Sequence, residues 1–409
     1  MSIAVTAAPA TVGLAPDRLA RIDGWLNKWV DSGKLPGASA AILRRGQVAY
    51  FKAVGKSDIA RGTAMDADTI VRIYSMTKPL TSVAIMMLYE EGHFQLDDPI
   101  SNVLPEFASS QVYVGGSRLK YQSTPAARGI TYRDLLTHTS GLSYGFMEST
   151  SVDALYRANK IEFNTPGDRN LRETTKAIAA MPLLANPGTA WNYSNATDVL
   201  GCLVQEISGV PFDDFMRTRV LAPLGMVDTD FTVAASKLPR FATNYYTNPK
   251  DGSLGIVDDG QNSNYARPLS VISGGGGLTG TIGDYMRFCR FMLNKGTLDG
   301  VRLLGRKTVE LMTANHLKGD MAAMGASRFS ETTYEGIGFG LGFSVVLDAA
   351  QAQILGSPGS YAWGGAASTA FWCDPAEDMA VVFFTQLMPS STYPLGKELR
   401  VLAYQAIVD

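Results

Sequence analysis

The chain has 409 residues, 46% of them hydrophobic, with 36 Lys and Arg against 38 Asp and Glu, a formal charge of −2. That length builds a large core, as two lobes or as one domain with an insertion, and the balanced charge leaves no basic stretch to hold nucleic acid or an anionic membrane. Three scattered cysteines (Cys202, Cys289, Cys373) and three histidines (His93, His138, His316) argue against a disulfide framework, a Cys-x-x-Cys zinc site or a histidine-rich metal site.

Residues 1–15 have neither a basic n-region nor a continuous apolar core. No apolar run reaches the ~20 residues that cross a bilayer, so the expectation is a cytoplasmic protein without signal or span. From 16 to 29 the apolar positions Leu19, Ile22, Leu26 and Trp29 predict an amphipathic helix lying on a sheet. The runs 38–43 and 48–54, joined by Arg44-Arg45-Gly46-Gln47, predict a β-hairpin, and 69–73 a short extended lead.

That lead enters Tyr74-Ser75-Met76-Thr77-Lys78 and an apolar run in which Leu80, Val83, Ala84, Met87 and Leu88 recur at helical spacing. Pro79 is tolerated only near a helix start and Gly92 is a natural stop, so the helix begins at or beside Ser75. Ser75 and Lys78 then share a face one turn apart. A serine hydroxyl needs an adjacent base before it can attack, and a lysine buried under an apolar helix can supply one. The same spacing also fits a helix N-cap followed by a solvated lysine. It recurs at Ser117 and Lys120, in the polar, loop-like run 115–124, so spacing alone does not decide.

From about 96 to 270 strand signals are sparse, and short helical stretches are predicted at 132–136, 172–181, 196–207 and 212–220. This reads as a mostly helical lobe (96–270) inserted into a sheet domain made of 1–95 and 271–409. The Asn-, Asp- and Tyr-rich run 243–264 suits a surface excursion near a cleft. Ser273-Gly274-Gly275-Gly276-Gly277 lacks the surroundings of a phosphate cradle and reads as close backbone packing. A helix at 281–294, strands at 339–347, 370–373 and 379–386, and a closing helix at 394–407 complete an antiparallel sheet of about five strands with helices on it, an α/β (α+β) fold.

Two further stretches carry polar or glycine-rich signals. Tyr193 and Asn195, in Trp191-Asn192-Tyr193-Ser194-Asn195, stand just before a helix; a phenol near a lysine can shuttle a proton, and a core tyrosine is the plain alternative. In Trp363-Gly364-Gly365-Ala366 two glycines within a strand mark close backbone approach or a bulge. If that edge borders Ser75, the N–H groups of Ser75 and Ala366 form an oxyanion hole. Gly141-Leu142-Ser143-Tyr144-Gly145 matches G-x-S-x-G, but no strand precedes it and only His316 follows, so Ser143 reads as structural.

Ser75-Met76-Thr77-Lys78, Tyr193-Ser194-Asn195 and Trp363-Gly364-Gly365, in this order, resemble the three motifs of the serine β-lactamase and penicillin-binding-protein superfamily. Leu136-Thr137-His138-Thr139-Ser140-Gly141-Leu142 and Pro187-Gly188 resemble its landmarks, and within it the chain is most similar to the family VIII carboxylesterases. The resemblance covers about residues 16–405. It implies a β-lactamase/DD-peptidase-like fold, Ser75 as nucleophile, Lys78 and Tyr193 as its base pair, Asn195 as a substrate or lysine contact, and substrate binding along Trp363, Gly364, Gly365 and Ala366. It further implies a small-molecule ester substrate, with no cofactor and no metal. Trp363 stands where typical β-lactamases carry a lysine for the antibiotic's carboxylate, so neutral esters are expected to be favoured over β-lactams. An acyltransferase, a β-lactamase or a D-amino-acid amide peptidase uses the same acyl-enzyme and stays open as an alternative.

Overall fold

The computed structural model describes residues 3–164, 169–325, 331 and 333–409. Its main sheet has eight strands: β1 (Gly37–Arg44), β2 (Gln47–Asp58), β3 (Thr63–Ala64), β4 (Ile337–Phe339), β5 (Ser344–Val346), β6 (Tyr361–Gly365), β7 (Thr369–Asp374) and β8 (Met379–Thr385). They lie in the order β4-β5-β6-β7-β8-β1-β2-β3, antiparallel throughout. The strand period of two sorts β8 between two cores: Ala380, Val382 and Phe384 enter one, Met379, Val381 and Phe383 the other. A strand covered on both faces is buried throughout and nearly all apolar, as here, where only the terminal Thr385 is polar.

On one face lie the helices α1 (Pro16–Asp31) and, at the far end of the chain, Leu395–Tyr404. Leu19, Ile22, Leu26 and Trp29 are buried as their spacing predicts, and Trp25 and Trp29 both donate their indole N–H to Glu398, at 2.6 and 3.0 Å. The opposite face carries α2 (Thr77–Glu90), α3 (Ala196–Ser208) and α4 (Ile282–Leu293). Every residue of α2 from Thr77 to Leu88 is buried, the signature of a helix enclosed on all sides. Leu80, Val83 and Leu88 each contribute about 1.5–3 kcal/mol through burial, so the helix is a stiff base for whatever stands at its N-terminus.

Three expectations are corrected. The predicted strand 339–347 is two, β4 and β5, because the chain reverses at Gly340-Leu341-Gly342, where Gly342 has a φ of +101° that a side chain would strain. The run 115–124 is not a loop: Gln111–Ser117 and Lys120–Pro125 form an antiparallel hairpin whose second strand is exposed along its length and so carries no apolar alternation to betray it. Within 243–264, Asn244–Thr247 and Leu254–Asp258 also pair, and Leu387–Met388 joins them as a third strand. Among the described residues no helix is long and apolar enough to cross a membrane.

Candidate active site

The chain enters α2 through a tight 3-10 turn, Tyr74–Met76, in which Tyr74 takes a φ of +42°. A non-glycine residue held there stores about 1–3 kcal/mol and persists only when its neighbours over-determine it. They do so here. The Tyr74 hydroxyl accepts from Asn244 at 3.0 Å, the Ile73 N–H donates to the Leu278 carbonyl at 3.1 Å, and the Met76 carbonyl accepts from Tyr285 at 2.9 Å. Ser75 is thereby raised half-exposed at the head of a buried helix.

Lys78, one turn on, is 2% exposed, and its Nζ donates to Ser75 Oγ at 3.2 Å and to the Gly275 carbonyl at 2.6 Å. The Tyr193 hydroxyl donates to the same Ser75 Oγ at 2.6 Å. One hydroxyl thus stands between an amine and a phenol, each within reach of its proton. The Tyr193 ring also covers the lysine, with Nζ 4.5 Å from the ring centre.

An aromatic shell surrounds this centre. Trp363 lies 5.6 Å from Tyr193 and meets Phe339 edge-on at 5.3 Å; His138 lies 5.0 Å from Tyr193 and Tyr144 5.5 Å. Burial, and secondarily the charge of Lys78, push the His138 imidazole well below its usual range, so it stands neutral beside the lysine. Burial and then Asp198 push the Tyr144 phenol well up, which keeps it a hydrogen-bond donor.

The third stretch forms the opposite wall. A Cβ on Gly365 would sit 2.4 Å from the Ile73 carbonyl oxygen and 2.2 Å from Thr369 Oγ1, so β6 can lie this close to the turn bearing Ser75 only because residue 365 is glycine. Ala366 is the next residue along, half-buried at the strand's end, and Gly364 and Trp363 are half-buried beside it. The glycine run also behaves as its composition predicts: Thr81 Oγ1 donates to the Gly274 carbonyl at 2.8 Å, and a Cβ on Gly274 would fall 2.6 Å from the Thr197 carbonyl.

Ser75, Lys78 and Tyr193 therefore meet, with Trp363 against Tyr193 and Gly365 against the Ile73 carbonyl, and Gly364 and Ala366 adjoin these two in the chain. Asn195 is 1% exposed at the entry to α3 with its side chain against Tyr156, while the Lys78 amine donates to the Gly275 carbonyl. Ser143 is structural: its hydroxyl donates at 2.6 Å to Asp153, which caps the helix Ser151–Ala158. Sequence reasoning missed Tyr144, Asp198 and the Gly275 carbonyl. Tyr144 lies inside the G-x-S-x-G match, a pattern that marks the serine and not the tyrosine beside it. Among the described residues no cluster of His, Cys, Asp and Glu is arranged to hold a metal ion.

The Beta-lactamase family model matches residues 22–405. A protein of Mycobacterium tuberculosis is 37% identical over 362 residues, covering 88% of each chain. Esterase EstB of Burkholderia gladioli is 31% identical over 381 residues, 90% of each. Among solved structures, EstCE1, described as a hydrolase with promiscuous acyltransferase activity, superposes with a TM-score of 0.79 at 26% identity, covering 95% of this chain and 99% of its own. With a sheet flanked by helices, a serine and a lysine one helical turn apart and a family match spanning nearly the whole chain, this protein belongs to the beta-lactamase family.

Proposed function

We propose that the protein is a serine carboxylesterase that cleaves neutral small or medium esters through an acyl-enzyme on Ser75. The observation that carries the reading is the pair of contacts on one hydroxyl, 3.2 Å from Lys78 and 2.6 Å from Tyr193. As Ser75 Oγ attacks the ester carbonyl its proton passes to the Lys78 amine, and the carbonyl electron pair moves onto oxygen, where the N–H groups of Ser75 and Ala366 stabilise it. Collapse breaks the bond to the alkoxide, which takes the Tyr193 phenolic proton and leaves as the alcohol. The Lys78 ammonium returns that proton to Tyr193. Water then attacks the acyl-enzyme along the reverse route, giving the acid and free Ser75.

The Trp363 ring beside Tyr193 favours neutral, partly apolar acyl or alcohol groups, since an apolar ring offers nothing to a carboxylate. The name of EstB supports ester chemistry, and the description of EstCE1 as a hydrolase with promiscuous acyltransferase activity supports hydrolysis with acyl transfer as the second reading.

Replacing Ser75 with Ala and assaying p-nitrophenyl butyrate tests the assignment. A loss of at least about 10³-fold in kcat is expected, and wild-type turnover refutes it. Adding a primary alcohol and measuring acid against transferred ester then separates hydrolase from acyltransferase.

A further inference from the structure

Asp198 lies in the first turn of α3, fully buried, and the chemistry above makes no use of it. Its Oδ1 accepts from the Ser273 hydroxyl at 2.5 Å and from the Gly275 N–H at 2.9 Å, and its Oδ2 from the Tyr144 hydroxyl at 3.4 Å. Gly275 is the residue whose carbonyl holds Lys78 at 2.6 Å, so carboxylate and ammonium grip the two ends of one residue. The glycine is needed for this. A Cβ at 275 would fall 2.7 Å from both Asp198 Oδ2 and the Tyr144 oxygen. Three donors converge on a carboxylate sealed from water, with a lysine as the cation that balances it.

We infer that Asp198 is a positioning residue for Lys78: it fixes the 273–277 turn so that the Gly275 carbonyl meets the amine. This rests on the reading of Ser75 and Lys78 given above. The other titratable groups around Lys78 are Tyr193, Tyr144 and His138. His138 is held neutral and Tyr144 is kept protonated, so neither supplies the opposing charge. Burial raises the Asp198 carboxyl, and Lys78, Ser273, Gly275 and Tyr144 each draw it back toward ionisation.

The test is kcat and KM for Asp198→Asn and Asp198→Ala on a p-nitrophenyl ester. An asparagine oxygen still accepts from Ser273 and Gly275, so the turn keeps its shape and kcat stays within about threefold of wild type, whereas alanine frees the turn and kcat falls about tenfold with KM unchanged. A merely structural Asp198 lowers thermal stability in the alanine variant and leaves its kcat in place, which overturns the inference.

Ser273→Ala supplies the second arm and stands by itself should the first variant not fold. It removes one of the three donors that hold the carboxylate and loosens the turn, so kcat falls about tenfold with KM unchanged. Unchanged kcat in this variant equally refutes the positioning role. Intact-mass labelling of the wild-type protein with a fluorophosphonate separates the two levels. No adduct on Ser75 sinks the acyl-enzyme reading and this inference with it, whereas an adduct with an unchanged kcat in the alanine variants sinks only the inference.

Discussion

Gly365→Ala puts the smallest possible wedge between β6 and the turn that carries Ser75. The new methyl carbon would start 2.4 Å from the Ile73 carbonyl oxygen, so one of the two backbones must retreat by about 0.6 Å to reach even the tightest contact of 3.0 Å. Ile73 cannot give easily, because its N–H is bonded to Leu278 and the next residue is the strained Tyr74. Overpacking of this kind costs about 1–3 kcal/mol of stability. The strand edge, moving instead, shifts the Ala366 N–H that the proposed mechanism assigns to the oxyanion, and a displacement approaching 1 Å in a catalytic group costs about 10²-fold in rate. Steady-state kinetics on p-nitrophenyl butyrate is therefore expected to show kcat/KM down by about that factor, mostly in kcat, while a fluorophosphonate still reaches Ser75 slowly. Gly364→Ala is the matched control, since its Cβ meets only the Thr369 carbonyl, at 3.0 Å, and its loss is expected to be about tenfold smaller. If Gly365→Ala folds and turns over at the wild-type rate, β6 does not supply the oxyanion N–H and the argument from close approach fails.

Three other outcomes follow from the same geometry. Tyr193→Phe keeps the ring over Lys78 and removes the 2.6 Å bond to Ser75, so kcat is expected to fall by about 10²–10⁴ with KM little changed; turnover within threefold of wild type contradicts its proton-transfer role. Ser143→Ala removes a bond to a buried carboxylate worth about 1.5–3 kcal/mol, so calorimetry is expected to show a lower Tm with esterase activity retained. Loss of activity at an unchanged Tm would restore Ser143 as a rival nucleophile. Asp228 is held well below the usual carboxylate range, first by its bonds to Arg240 and then by Lys237. A depressed carboxyl contributes stability that is present above its unfolded value near pH ~4 and is lost as pH falls through the folded value. Asp228→Asn is thus expected to flatten the fall of Tm below about pH 4, and a slope identical to wild type argues against the linkage.

What was readable beforehand follows from where information sits in a chain. Ser75 and Lys78 are a local pair that one helical turn brings together, and the 16–29 helix and the first hairpin declare themselves through periods of 3.6 and 2. The exposed strand Lys120–Pro125 has no buried face and hence no period to read. The Gly275 carbonyl is a backbone atom, identical in every residue, and only the three-dimensional meeting of 275 with 78 marks it. Asp198 was hidden differently: an acidic residue in the first turn of a helix is ordinary, and nothing local says that this one is sealed from water. Asn195 is the reverse case, a position conspicuous in the sequence whose side chain the fold turns toward Tyr156.

The pairing of β1 with β8 sets Ala38 opposite Thr385 and Arg44 opposite Met379, in the middle of the sheet. During synthesis the first hairpin therefore leaves the ribosome long before its central partner exists, and β1 waits with one side of its ladder unbonded. An apolar strand edge left open for that interval is an invitation to pair with a neighbouring nascent chain. Soluble yield is accordingly expected to depend on translation speed and on holding chaperones more than on the stability of the finished fold.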